Sequence, residues 1–382
     1  MTKYLFGDLV KEVKNKVDRD NNPYDYFIAG DHMDTDELHL LRRGVFAGND
    51  VGPAFIRIFK PGQVLYGSRR TYLRKVAVAD FEGVTANTTF VLESKDEKIL
   101  LQRLLPFIMQ ADRFVQHSIK RSKGSTNPYV LFSDLADYEV ELPDIDKQCE
   151  LADLLWAMDD VRMSYQNLIS ATDALVKSQF IEMFGDLNRN NKGWELSPLS
   201  KILLIERGGS PRPIEKYITD SEDGVNWIKI GDADEGSIYI THTKEKIIRE
   251  GTSKSRYVEP GDFLLSNSMS FGRPYILTID GYIHDGWLVL RDRLRRYEKL
   301  FLYALLSSDY ANMSFRTMAA GSVVKNLNKE LVGNLMVPVP PMELQMQYAA
   351  FIEQSDKSKF ELEQALSELN ATYKRIIAEN LG

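Results

Sequence analysis

The sequence predicts an α+β protein in which two pseudo-repeated mixed α/β domains are separated by two long helices that form an antiparallel coiled coil. Three observations carry this. The chain repeats itself half a length apart: FKPGQVLYGS, from Phe59, is answered by VEPGDFLLSN, from Val258, with Pro61-Gly62 falling on Pro260-Gly261 at an offset of 199 residues. Short β-branched and aromatic runs bounded by Gly and Pro fill most of each half, as in AFIRIF, TTFVLES, NWIKIG and GWLVLR. Each half then closes on a long proline-free stretch whose apolar residues recur at 3-4 spacing.

The repeat fixes the order of elements. A strand-and-turn-rich region comes first, and its Pro-Gly pairs read as turns because proline presets φ and glycine allows φ > 0. A shorter helical stretch follows, from Lys98 in one half and Lys299 in the other. Next comes a Gly-Ser loop, KRSKGSTN or GSVVKNLN. An apolar strand then ends in proline: VELPDIDKQ answers VPVPPMELQ, pairing Pro143 with Pro340 and Gln148 with Gln345 at an offset of 197. The long helix comes last. The boundaries expected are a first domain at 1–143, a helix at 144–186, a second domain at 187–340 and a helix at 341–382.

In the first helix the expected seam is Leu151, Leu154, Met158, Val161, Tyr165, Leu168, Thr172 and Leu175. In the second it is Tyr348, Ile352, Ser355, Leu362, Leu366, Leu369, Tyr373 and Ile376, interrupted by Lys359. A helix with one apolar stripe must bury it. The heptad period favours burial of one stripe on the other over packing of each helix on its own domain alone. About 36 residues make a rod of roughly 54 Å.

Composition limits the function. The N-terminus has no apolar core of a signal peptide, and no run approaches the roughly 20 residues of a membrane span. The single cysteine, Cys149, excludes an intramolecular disulfide and cysteine-based metal knuckles, and fits a cytoplasmic setting. Catalytic motifs are missing: there is no P-loop, no H-E-x-x-H and no G-x-S-x-G, and the five histidines are scattered. TNPYVLF, at Thr126, faintly resembles the loop that amino-methyltransferases close on a flipped base, but it lacks the second proline and reads as a turn. PDIDK, at Pro143, reads as the acidic start of a helix.

Charge is separated. Between Leu40 and Ala79 eight basic residues face one acid, whereas between Asp144 and Asp186 nine acids face three bases, so the net charge of −7 hides a basic surface. The candidate DNA-binding residues of the first half are Arg42, Arg43, Arg69, Arg70, Arg74, Lys75, Lys123 and Ser125. Those of the second are Arg212, Lys254, Arg256, Asn267, Ser270, Arg273, Ser322 and Lys325. Guanidinium forks match guanine O6/N7, Asn matches adenine, and Lys, Arg and Ser contact phosphates. RGGSPRPIEKY, from Arg207, reads as a shaped loop that presents Arg212 beside a flexible Gly-Gly.

KSQFIEMFGDL (from Lys177), SPLSKILLIERGGSPRP (from Ser197), EPGDFLLS and GSVVKNLNKELVGNLMVPVPPMELQ (from Gly321) together resemble the specificity subunit of type I restriction–modification systems. The likeness covers essentially the whole chain. The first half departs from it in the single proline before Asp144 and in its short opening, Phe6-Gly7-Asp8. The resemblance implies two target recognition domains, each reading half of a bipartite double-stranded DNA target. It implies a coiled coil that sets the spacer and docks two modification subunits. It also implies no catalytic centre, metal or cofactor on this chain, with S-adenosylmethionine on the modification subunits, ATP and Mg on restriction subunits where these join, and no membrane partner. The rival readings are a coiled-coil protein-binding adaptor and a stand-alone DNA methyltransferase or nuclease. Methyl transfer by the purified chain, and DNA binding at low salt, separate them.

Overall fold

The computed structural model describes residues 2–47, 51–234, 236–267, 272–320 and 326–381. Contact divides the chain into two units, residues 1–168 with 362–382 and residues 169–361. The sequence-based division sets each long helix apart. By contact, the first long helix (Ile145–Phe184) and the second (Met342–Leu381) are instead each shared between the units.

The first unit holds a four-stranded antiparallel sheet in the order Val10–Glu12, Thr89–Ser94, Val64–Gly67, Val76–Val78. A second four-stranded sheet orders Gly44–Val45, Tyr26–Ile28, Gly83–Ala86 and Phe55–Phe59, with one parallel pair at its centre. Thr2–Leu5 pairs with Glu139–Leu142 beside it. The second unit repeats the first sheet. Leu204–Arg207, Trp287–Arg291, Phe263–Ser266 and Pro274–Leu277 take the same order, with Tyr239–Ile240 added at the edge. A further five-stranded sheet and the ribbon Leu196–Pro198 with Met336–Pro338 complete it.

The repeated motifs have repeated causes. Gly62 and Gly261 sit at φ +84° and +95°, a backbone conformation that residues with a side chain rarely adopt, so each Pro-Gly turn favours its glycine. Each glycine N–H is bonded across the sheet, Gly62 to the Ala79 carbonyl at 2.8 Å and Gly261 to the Leu277 carbonyl at 2.7 Å. The repeated glutamines are buried pins. Gln148 Nε2 donates to the Ile99 and Pro143 carbonyls at 2.8 and 3.0 Å, and its Oε1 accepts from Leu101 N–H at 3.1 Å. Gln345 does the same with the Arg296 and Pro340 carbonyls at 3.1 and 2.8 Å and with Glu298 N–H at 2.9 Å. Each glutamine thereby ties the first turn of a long helix to the loop that precedes the shorter helices. Gln345→Leu is expected to cost the second unit about 1–3 kcal/mol, because it strands buried backbone groups. A lowered denaturant midpoint for that unit is the measurement, and an unchanged midpoint would contradict the assignment.

In each unit a segment of both long helices enters the core. In the first, Leu151, Ala152 and Leu155 share a cluster with Phe107, Phe114, Tyr373, Ile377 and Leu381. In the second, Phe180 and Phe184 join Phe301, Tyr348 and Ile352. The helices also meet each other directly: Tyr348 OH donates to the Val176 carbonyl at 3.2 Å, and Lys359 Nζ lies 2.9 Å from Asp173. Residue numbers fall along one helix as they rise along the other, so the pairing within the second unit is antiparallel. Lys359, the interruption in the expected seam, is the cation of that ion pair.

The expected seam of the first helix needs correction. Leu154, Val161, Leu168 and Leu175 are 48%, 45%, 51% and 53% exposed. Leu155, Asp159, Arg162 and Val176 take the inner positions instead, with Leu151 buried and Met158 and Tyr165 half-buried. Every second expected position is displaced by one residue, from Leu154 to Leu155, from Val161 to the charged Arg162 and from Leu175 to Val176. In the second helix Tyr348, Ile352, Ser355 and Tyr373 are buried, and Leu362, Leu366, Leu369 and Ile376 are half-buried.

Candidate nucleic-acid interface

In the first unit the strand Val64–Gly67 runs out into the loop GSRRTYLR, and the fold sets the KGSTNPY loop beside it. Arg70 N–H donates to the Pro128 carbonyl at 2.7 Å, and Val130 N–H to the Ser68 carbonyl at 3.0 Å. Lys123 and Tyr129 exchange two backbone bonds of 2.8 and 2.9 Å, which closes the Gly-Ser loop. The Arg69 guanidinium lies 5.6 Å from the centroid of the Tyr129 ring. Two stretches distant in sequence thus form one surface that exposes Arg69, Arg70, Tyr72, Ser125 and Tyr129. Cations interleaved with aromatic rings suit phosphates and base faces together.

Other candidates of the first half are engaged within the protein. Arg42 pairs with Asp34, and Lys75 Nζ donates to the Gly30 carbonyl. Arg43 stacks 3.8 Å from the Tyr26 ring centroid, and Lys123 Nζ lies 2.7 Å from Asp134. Arg74 is corrected outright. Its guanidinium pairs with Asp36 and bonds Asp112 Oδ1 and the Gln110 carbonyl, each of the latter at 2.7 Å, so no fork remains for a base.

In the second unit Asp285 organises the site. Ser210 Oγ donates to its carboxylate at 2.8 Å, Arg207 Nε and Asn267 Nδ2 donate to its carbonyl at 3.1 and 2.8 Å, and Arg212 lies 3.6 Å away. Partial burial pushes this carboxyl up. The Ser210 bond, His284 and the two arginines outweigh that and hold it below the usual carboxylate range. Gly208 and Gly209 are required by closeness rather than flexibility, since a Cβ on them would lie 2.2 Å from the His284 and Lys254 carbonyls. The loop is therefore shaped, as expected, and the correction is to the Gly-Gly pair, which is there for close approach and not for flexibility.

Arg212, Lys254 and Arg273 are exposed around this end of the sheet. Asn267 is corrected: it is buried, its amide serves Asp285, and its backbone binds Gly286 and Leu327. Arg256 is paired to Glu206 at 3.2 Å. Ser270, Ser322 and Lys325, with the second Gly-Ser loop, lie outside the described residues.

Sequence reasoning passed over Tyr72 and Tyr129. Their signal, aromatic residues interleaved with arginine, was present in the quoted motifs. It also passed over an open cleft of about 650 Å³ lined by Lys14, Lys16, Arg57 and Phe132. One histidine is less scattered than the sequence suggests: the ligand-type atoms of Glu37, His39 and Asp159 all lie within 4.8 Å of one another. Arg162, 2.7 Å from Asp159 and 3.5 Å from Glu37, already supplies the cation there, so the group is an ion-pair network.

The family model described as the type I restriction modification DNA specificity domain matches residues 43–169 and 191–370. Each match encloses one of the two loop surfaces. The chain belongs to this family. The type I restriction enzyme MjaVIII specificity subunit of Methanocaldococcus jannaschii is 20% identical over 72% of this chain and 68% of its own length. The HindI specificity subunit of Haemophilus influenzae is 22% identical over 47% of this chain and 40% of its own length. The fold is shared with solved structures. A chain from a structure on complex assembly and conformational transition of the type I R-M system superposes with TM-score 0.62, at 18% identity, over 99% of this chain and 97% of that one. The S subunit of a type I system from M. genitalium gives 0.58, at 14% identity, over 100% and 96%. Among the described residues of this specificity-family chain, no helix is long and apolar enough to cross a membrane.

Proposed function

We propose that this chain is the DNA-reading, non-catalytic subunit of a type I restriction–modification complex, with each unit reading one half of a bipartite double-stranded target. The observation that carries the reading is the pairing of distant loops into one exposed basic surface in each unit: Arg69, Arg70, Tyr72 and Tyr129 in the first, and Arg212, Lys254 and Arg273 in the second. Two linked readers make the second contact effectively intramolecular, so affinity rises steeply when their span fits the target. The paired helices serve as the spacer. They also offer docking surface to two modification subunits, which bring S-adenosylmethionine and flip the target adenine. Leu154, Val161 and Leu168 supply an exposed apolar stripe for such contacts in the first unit. Restriction subunits, where they join, bring ATP and Mg.

The test is DNA binding by the chain with its modification subunits. Arg69→Ala and Arg273→Ala are each expected to weaken binding and to reduce the salt slope by about 0.9 if they contact phosphate, or to relax specificity at one position if they contact a base. Affinity, slope and specificity all unchanged would remove these surfaces from the interface.

A further inference from the structure

Arg74 closes the loop that carries Arg69, Arg70 and Tyr72, yet it faces inward. Its backbone is left-handed at φ +51°, as is that of Arg70 at the other end of the same turn. Such a conformation is costly for arginine and persists only where the surroundings hold it. Three partners on two separate stretches hold Arg74: the carboxylate of Asp36 on one, and the carboxylate of Asp112 with the carbonyl of Gln110 on the other. The loop is tied a second time through the backbone, since Asp36 N–H donates to the Arg74 carbonyl at 3.3 Å. These anchors are themselves fixed to both long helices. Arg162 donates to the Asp36 carbonyl at 3.0 Å, and Tyr373 OH donates to Gln110 Oε1 at 2.8 Å.

We infer that Arg74 is a positioning residue: it contacts no DNA, and it registers the Arg69–Tyr72 surface on the helix pair so that these side chains meet their half-site in one geometry. The inference rests on the reading of that surface as a DNA contact.

The experiment uses the chain with its modification subunits, and duplexes in which either half of the methylated target is scrambled. Arg74→Lys keeps the charge but cannot reach three partners. Asp36→Asn keeps Arg74 and removes a negative charge, which on charge alone would tighten DNA binding. Positioning predicts that both variants lose tenfold or more in discrimination at one half-site, the half affected by Arg69→Ala with Arg70→Ala. It also predicts that the salt slope on non-specific DNA stays as in the parent. A slope lowered by about 0.9 in Arg74→Lys, with all sequences weakened alike, would make Arg74 a phosphate contact and overturn the inference. Full discrimination in Arg74→Lys and Asp36→Asn, beside a loss in the Arg69/Arg70 variant, would overturn it while leaving the interface intact. No effect of the Arg69/Arg70 variant would remove the interface and the inference with it.

Discussion

Arg162→Ala is expected to destabilise the first unit by about 3–5 kcal/mol, the cost of leaving buried carboxylates without their cation. Asp159 is fully buried, and Glu37 and Arg162 nearly so. Arg162 reaches Asp159 at 2.7 Å, Glu37 at 3.5 Å and the Asp36 carbonyl at 3.0 Å, and its guanidinium lies 5.6 Å from the Tyr373 ring centroid. The network therefore joins the loop at 36–39 to both long helices. Hydrogen exchange at residues 36–40 and 151–165 would read the loss directly. Combining Arg162→Met with Asp159→Leu and Glu37→Gln is expected to recover most of it, because an apolar replacement needs no counter-ion. Unchanged protection in Arg162→Ala would show the network to be dispensable.

The same cluster gives this unit a pH dependence. His39 Nε2 and Asp159 Oδ2 are 2.7 Å apart, and that hydrogen bond outweighs partial burial and raises the imidazole above its ordinary value of 6.5. A raised folded value means the contribution is complete below the unfolded value and is lost as pH rises through the folded one. Stability of the first unit should therefore fall on going upward from about pH 6.5, the unfolded reference. His39→Gln should flatten that slope.

Tyr348→Ala is expected to cost the second unit about 3–5 kcal/mol, as for other large aromatic-to-alanine changes in cores. Tyr348 projects from the second long helix edge-to-face against Phe180 and Phe184 of the first, at centroid distances of 5.5 and 5.4 Å, and Phe184 continues the aromatic cluster to Phe301 at 4.6 Å. Tyr348→Phe removes only the bond to the Val176 carbonyl and should cost about 0.5–1.5 kcal/mol. A denaturation midpoint for Tyr348→Ala equal to that of Tyr348→Phe would mean that the ring contributes nothing to holding the helices together.

The repeat was legible because its causes are local. A Pro-Gly turn favours its left-handed glycine wherever it occurs, and Gln148 and Gln345 sit at one fixed distance from a proline. The phase of the first helix was not. Leu154 and Leu155 are adjacent apolar residues, and so are Leu175 and Val176, and a pattern of hydrophobicity cannot choose between them. The deciding positions, Asp159 and Arg162, are charges buried by partners at Asp36, Glu37 and His39, more than 100 residues earlier. The same blindness made Arg74 and Asn267 look like free recognition groups. Their partners Asp36, Asp112 and Asp285 are distant in sequence, so only the fold shows that these side chains are occupied. Arg69, Arg70 and Arg273 stand in the same motifs and do face outward.

Under the proposed function, sequence recognition resides in this chain and chemistry in its partners. Methyl transfer to DNA should be measured for the purified chain, for the modification subunits alone and for the two together, with the modified bases mapped. Transfer is expected at a defined two-part sequence only in the mixture. Transfer by the chain alone, or a modification pattern indifferent to its presence, would contradict it.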